Sequence, residues 1–525
     1  MSRRAVLNAL RRERERARER SGRSRTLTLP APHQGWNARD PVQAIPPTQA
    51  ERFTNVISSH DGISPRRNPL IHASISSSIE PTELMVHVGS IETMFCGADG
   101  GIWDVSSAGF VATPAVTGLT NTKFCWTNIN GRLVWANGED APQSYDGAAW
   151  STQPLSVASG EPAASADKFA GVYSFKNRTY WWRPDQLGFY YSTLDSIGDA
   201  LRFFDLSYVA RKGGDLLTMT RYTHDGGSGP DDYPVFVTTA GEAIVYQGTN
   251  PNDANAWALV GVFNLGEAAG IGAAMPQRMD IAASWGAQTW LITEYDYVAL
   301  PQAMLTEGVV TPSKLAGAVK AAMNDNQANL SWQAVLYPKG PLLLFNVPVA
   351  DSTWGDREKA VGTYHQHIVD LHTGAPSLFT GMNATSWAVF DGDLYYTALA
   401  SASGDNTVIC QAFATATSVS IEMISGPSNL RVNNPKSITA ARLWASASAN
   451  ATLVPSTAST RVELKMNYTD NRLPQREVLR YNEWMLAAGV GTFVQMKCTG
   501  PVTPDAKYRH IDYVYEVIDP AVGFW

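Results

Sequence analysis

Imidazoles close together can hold a metal, and the densest set in this chain is His365-x-His367 with His372 nearby. Alternate residues of a strand share a face, so His365 and His367 could converge on one cation. The plainer alternative is two polar side chains on the wet face of a strand, with His372 in the turn that follows. Asp231-Asp232 and Asp225-Gly226-Gly227 could also coordinate a cation, or form a solvated Gly/Asp loop. The phosphate-cradling Gly-x-x-x-x-Gly-Lys-Ser/Thr loop, the His-Glu-x-x-His zinc helix, the Gly-x-Ser-x-Gly nucleophile turn and the EF-hand loop are all missing from the sequence. The expectation is a protein that is not an enzyme, needs no cofactor and keeps no resident metal, with His365 and His367 as the metal candidates to be tested.

Charge is the second source of chemistry. The first 25 residues hold ten Arg and three Glu, a balance of +7, which leaves −14 for the remaining 500 residues of a chain whose net charge is −7. Residues 5–20 can form a helix with a small apolar patch, Val6, Leu7 and Leu10. Beyond it Arg11, Arg12, Arg14, Arg16, Arg18 and Arg20 leave no apolar face. Such an arm is either solvated, or docks on an acidic neighbour or DNA phosphate through bidentate pairs and counterion release. An acidic body repels a polyanion and would let DNA slide past, although the same balance is ordinary for a cytosolic protein.

The stretch Leu29 to Leu70 concentrates local signals: a proline-rich approach, a Gly35-Trp36-Asn37 turn, an Arg39-Asp40-Pro41 corner and a second basic turn at Arg66-Arg67. Thr48 followed by Glu51 has the spacing of a capping box, so a short helix is expected from Thr48, with Ala50, Phe53 and Val56 on one face. Trp36, Asn37, Arg39, Asp40, Thr48, Glu51, Phe53, Arg66 and Arg67 are therefore candidates for a clasp or an interface.

The elements that must carry these residues are mostly strands. Sixteen Trp, 20 Tyr, 42 Gly and 30 Pro favour short strands and tight turns, and 17% charged residues is low against a usual value of about 25%. Seven hairpins stand out: Met94 to Val105, Trp126 to Ala136, Val172 to Trp182, Val235 to Tyr246, Ser284 to Leu300, Ala334 to Val347 and Val389 to Thr397. Several turn on Asn-Gly or Asp-Gly, which supply the positive φ that a two-residue hairpin needs. The predicted fold is all-β: a divergent β-propeller of six or seven blades at 83–415, with a large β-sandwich as its rival. A basic helical arm spans 1–28, with 21–34 as linker, and the clasp spans 29–82. A helix interrupts the strands at about 311–324, where Thr311-Pro312-Ser313 opens it and Leu315, Val319 and Met323 share a face. A further strand series at 416–525 reads as a C-terminal β-sandwich, ending in Phe524-Trp525 as a tucked tail or an anchor.

The four cysteines, Cys96, Cys125, Cys410 and Cys498, form no Cys-x-x-Cys pair and are expected to be reduced and buried. No apolar run approaches the roughly 20 residues of a membrane span, and no signal-peptide core follows the arginines. In that setting the Asn-x-Thr sites at Asn177, Asn383, Asn450 and Asn467 carry no meaning for glycosylation.

Gly-Trp-Asn-x-Arg-Asp at 35–40, followed by an apolar-Pro step and Ala50-x-x-Phe53-x-Asn55, resembles the opening of a family of short-tailed phage virion proteins, the tail nozzle or hub β-propellers. The likeness continues through Ile197 to Ser207, Val245 to Gly261, Val347-Pro348, Thr373-Gly374-Ala375 and Phe379 to Asn383. It departs at Ile57-Ser58 and Arg67-Asn68. The resemblance implies a structural subunit of a homo-oligomeric ring, six copies around the DNA-ejection channel. Its implied partners are a tail adaptor, tail fibres and passing DNA, and its implied place is the virion tail after assembly in the host cytoplasm. A receptor- or glycan-binding propeller is the alternative, and a propeller hydrolase a third.

Overall fold

The computed structural model describes residues 24–77, 81–225, 230–265, 282–285, 288–305, 312–326, 332–337, 339–349, 364–399, 407–446, 461–467 and 484–518. The chain forms two compact units. One comprises Pro69–Ile368 and Thr380–Ala414, the other Met1–Asn68, Val369–Phe379 and Thr415–Trp525.

Among the described residues the first unit is a β-propeller of seven sheets, antiparallel apart from Gly109–Val111, which adds in parallel to Asn68–Ile75, the outer strand of the last blade. Blade 1 is Glu83–His87, Thr93–Ala98 and Gly101–Asp104; blade 2 is Cys125–Ile129, Arg132–Ala136, Gln143–Tyr145 and Trp150–Thr152. Blade 3 follows with Gly171–Phe175, Arg178–Trp182, Gly188–Tyr191 and Arg202–Asp205, and blade 4 with Leu216–Asp225, Pro230–Thr238, Glu242–Gly248 and Trp257–Asn264. Ala282–Trp285, Gln288–Ile292 and Tyr297–Ala299 make blade 5, and Gln333–Tyr337, Leu342–Pro348 and Tyr364–Asp370 blade 6. Blade 7 consists of Ser386–Phe390, Asp393–Leu399 and Thr407–Thr415, and its fourth strand is Asn68–Ile75, brought from the other end of the chain. First strands of successive blades pack side by side from blade 2 to blade 7 and on to blade 1, and blade 1 meets blade 2 through the second strand of blade 2 and the Asn128 amide on the Val86 carbonyl, so the ring is closed.

Turn chemistry explains the hairpins. Asn130-Gly131 has φ of 50° and 72°, Asp391-Gly392 49° and 71°, and Lys176-Asn177 45° and 59°. These left-handed pairs turn the chain in the sense that matches strand twist. Aromatic burial then holds the blades. In blade 3, Trp181, Trp182, Tyr180, Phe189 and Tyr190 are all buried, and Phe189 stacks on Phe236 of blade 4 at 4.4 Å between centroids. Gly171 has no substitute here, because a Cβ would lie 2.1 Å from the Trp182 ring. The helix Ala316–Asn326 stands where a helix is expected, with Leu315, Val319 and Met323 buried. All four cysteines are free and buried, and burial raises the thiols of Cys410 to about 11 and Cys498 to about 12.

Among the described residues the second unit has two sheets. In one, Lys507–Val517 lies between Lys436–Ser446 and two N-terminal partners, Arg25–Pro30 and Gly62–Pro65, with Met485–Gly491 beyond Lys436–Ser446 and Val56–Ser59 beyond Gly62–Pro65. In the other, Ala50–Thr54 runs between Pro376–Phe379 and Val419–Ser425, followed by Val494–Val502 and Arg461–Met466. The strands expected after 416 are all present, but N-terminal segments complete both sheets.

Three expectations are corrected. Thr48 does not start a helix; Ala50–Thr54 is a strand whose edges are taken by Leu378 on one side and Glu422 to Ser425 on the other. Tertiary pairing overrides the local cap signal: the Thr48 carbonyl accepts from the Gln34 N–H, and the Glu51 carboxylate from Gln495 Nε2 at 2.9 Å. The linker expected at 21–34 contains the strand Arg25–Pro30, paired residue for residue with His510 to Tyr515. The clasp is not a separate region: its strands up to Pro65 are built into the two-sheet unit. The basic helical arm, with Arg11, Arg12, Arg14, Arg16, Arg18 and Arg20, lies outside the described residues, as does Phe524-Trp525.

Candidate functional site

The clasp residues come together, and their chemistry is architectural. Gly35 takes φ 76°, and a Cβ there would lie 2.4 Å from the Pro376 carbonyl oxygen. That close approach lets the Trp36 N–H donate to the Pro376 carbonyl at 2.8 Å and places the buried Trp36 beside Ala50. Asn37 is buried and fully occupied: its Oδ1 accepts the N–H groups of Arg39 and Asp40, and its Nδ2 donates to Asp40 and to Gln49. Arg39 grips Asp40 through two bonds of 2.9 and 3.0 Å. The Arg39 guanidinium, helped by the Asn37 amide, holds the Asp40 carboxyl down at about 2.

Arg66 is buried as well. Its Nε donates to Asn55 Oδ1 at 2.9 Å, its Nη1 to the Arg67 carbonyl and Asn68 Oδ1, and its guanidinium lies over the Phe379 ring at 5.8 Å. Asn55 itself, at φ 59°, sits where the chain passes from one sheet to the other. Phe53 is buried, Thr48 and Glu51 are half-buried, and Arg67 points to solvent.

The histidine pair is not a wet face. His367 is buried, and its Nδ1 meets the Tyr297 hydroxyl at 2.7 Å; burial pulls the imidazole down to about 3. His365 is half-buried and lowered for the same reason. His372 is exposed in a turn of the other unit, its N–H donating to Asp370. Among the described residues no three His, Cys, Asp or Glu side chains are grouped to hold a metal. Asp225 and Asp232 end up on paired strands of blade 4, and Asp232 accepts from the Thr223 hydroxyl. Residues 226–229 lie outside the described residues.

A cleft that the sequence reading does not single out lies between blades 3 and 4, about 190 Å³ in volume. Arg178 enters it from just after the first turn of blade 3, Arg202 from the end of that blade's last loop, and Asn250 and Asn252 from the last loop of blade 4. In an up-and-down sheet the first and third turns emerge on the same side, so all four residues belong to one face of the propeller. Arg178 is fixed by two backbone carbonyls, Nε on Thr249 at 3.1 Å and Nη1 on Ser192 at 2.8 Å. Arg202 is exposed and has no carboxylate partner among the described residues. The Tyr191 hydroxyl is raised by burial; Arg202 and Arg178 oppose that shift and Glu161 adds to it, so both guanidinium groups act at this phenol. Ile197 to Ser207 and Val245 to Gly261, read above only as family segments, contain Arg202, Asn250 and Asn252. Their spacing of about 50 residues hides the convergence.

No protein-family model matches the sequence, and no curated protein matches it. Solved structures do. The extracellular domain of a putative hybrid two-component system from B. thetaiotaomicron is similar over 85% of this chain at 12% identity and a TM-score of 0.40; this chain spans only 57% of its length. YCF48 bound to a D1 peptide is similar over 65% of this chain and 93% of its own, at 9% identity and TM-score 0.34. A Trypanosoma rangeli sialidase mutant displaying trans-sialidase activity is similar over 76% of this chain and 91% of its own, at 10% identity and TM-score 0.28. The propeller fold stands on the closed ring of seven sheets.

Proposed function

We propose that the chain is a structural subunit of a short phage tail, assembling as a ring of six around the channel through which DNA leaves, and that it carries no catalytic activity. One observation carries the reading: the residues through which the sequence resembles tail nozzle proteins are used to build the fold. Gly35, Trp36 and Asn37 join the Ala50 and Pro376 segments, Asp40 accepts from the Asn37 amide, and Asn55 accepts from the buried Arg66. A family defined by such residues shares an architecture, whereas function must be argued from sites. The partners are other copies of the chain, an adaptor, tail fibres and transiently DNA.

Electron microscopy and native mass spectrometry of the purified protein, with proteomics of the particles made alongside it, test the reading. A closed ring and presence in the tail are expected. A protein that stays monomeric at all concentrations and is missing from particles would overturn it.

A second reading, a glycan- or receptor-binding propeller, is favoured by the polar cleft lined by Arg178, Arg202, Asn250 and Asn252. The two readings are compatible, since a tail subunit can also touch the cell surface.

A further inference from the structure

We infer that the cleft between blades 3 and 4 binds a carboxylate-bearing sugar, with Arg178 and Arg202 on the acid group and Asn250 and Asn252 on ring hydroxyls. The inference rests on the glycan-binding reading above and names its site and ligand class.

Charge comes first. The chain outside its first 25 residues carries a net −14, so two arginines facing one cleft, with no carboxylate paired to either among the described residues, stand against the surrounding charge. Glu161, the acid that acts on Tyr191, accepts from the Phe203 N–H at 3.2 Å.

Preorganisation comes second. Two of the five N–H groups of Arg178 are tied to the Thr249 and Ser192 carbonyls, which orient the guanidinium plane while leaving its charge uncompensated. Carbonyls fix an arginine without neutralising it. A planar carboxylate can then accept two parallel bonds from the fork, the geometry for which arginine is suited. The loop that supplies the asparagines is also braced: Asn250 Oδ1 accepts the Asn252 N–H at 3.3 Å, which assigns the Asn250 NH2 a donor role.

Lining favours a ligand class. The cleft, about 190 Å³ in volume, accommodates one sugar ring. Tyr191 offers an apolar body at the wall, while Ser192 and Thr193 add hydroxyls, a mixture that suits a polyhydroxylated ring. A bare inorganic anion would use the arginines and leave the asparagines and the phenol without a role.

The test is calorimetric titration of the full-length protein with glucuronic acid, with glucose as its uncharged match and inorganic phosphate as a bare anion, for the native chain and for Arg202→Gln. Arg202 is exposed, so the variant should melt like the native chain. Glucuronate should bind, glucose should not, and Arg202→Gln should weaken glucuronate about tenfold, as losing one charge-assisted bond does. Glucuronate binding that Arg202→Gln leaves unchanged would place the sugar elsewhere and overturn the cleft assignment while sparing the glycan-binding reading. Phosphate binding as tight as glucuronate would overturn the sugar assignment. If a panel of neutral and acidic glycans gives no binding at all, both fall.

Discussion

His367 shows how burial of one side chain sets a solution property. The folded protein holds its imidazole at about 3, against an ordinary value of 6.5, chiefly because a charge at that depth would lose its water, with His365 adding to the effect. Between those values the unfolded chain binds a proton that the folded chain refuses. Stability from this group is therefore complete above about pH 6.5 and is lost as pH falls toward 3, with a limiting slope of about 1.4 kcal/mol per pH unit. Urea unfolding of native protein and His367→Gln, which keeps a side-chain acceptor for the Tyr297 hydroxyl, should show the native chain losing stability faster between pH 6 and pH 4. Parallel curves would mean that the folded protein accepts the proton. The sequence shows the alternation of the two histidines but not which face is dry. Blade strands are covered on both sides, as in Tyr364–Asp370, where five of seven residues are buried, so a period of two no longer separates inside from outside.

Elements were legible where the signal is local. Each of the seven hairpins read from the sequence falls in a different blade; where the turn is Asn-Gly or Asp-Gly, as at Asn130-Gly131 and Asp391-Gly392, the backbone geometry is stated within two residues. The capping box at Thr48 was equally local and misled, since pairing of Ala50 with Ser425 is decided 375 positions away. Joints between blades are hidden in the same manner. Glu83, at the start of blade 1, takes Lys123, which precedes blade 2, as an ion pair and accepts from the Ser386 hydroxyl of blade 7 at 2.8 Å; all three are buried. Lys123→Met would strand the Glu83 carboxylate without its countercharge, and about 3–5 kcal/mol of stability should be lost. Adding Glu83→Leu should restore most of it, since an apolar pair of similar volume removes both desolvation costs. Chemical denaturation of the single and double variants measures this. A single variant within about 1 kcal/mol of the native chain, the size expected of an exposed pair, would show that the ion pair is solvated and does not join the blades.

At the scale of the whole chain, the strand series after 416 announces a second unit, but nothing in its composition says that Arg25–Pro30 and Gly62–Pro65 complete its sheet. Strand partners are chosen by edge complementarity across the folded chain, and the sequence of either partner alone does not record the choice. This fixes where the arginine arm can be cut. Arg25 pairs with Tyr515 and Leu27 with Tyr513, so a truncation through residue 30 would expose a sheet edge and confound any test of docking. Removing residues 1–23 keeps the whole strand and deletes nine arginines and three glutamates. If the arm docks the ring on an acidic adaptor, that truncation should leave the thermal melt unchanged and weaken attachment. The intact protein's attachment should itself fade with added salt, as the screening length shrinks from about 10 Å at 0.1 M to about 3 Å at 1 M. Co-sedimentation with tail particles across a salt series, together with calorimetric melts of both proteins, reads both effects. A lowered melt would assign the arm to the fold. Unaltered attachment at every salt concentration would leave it a solvated tail with no partner.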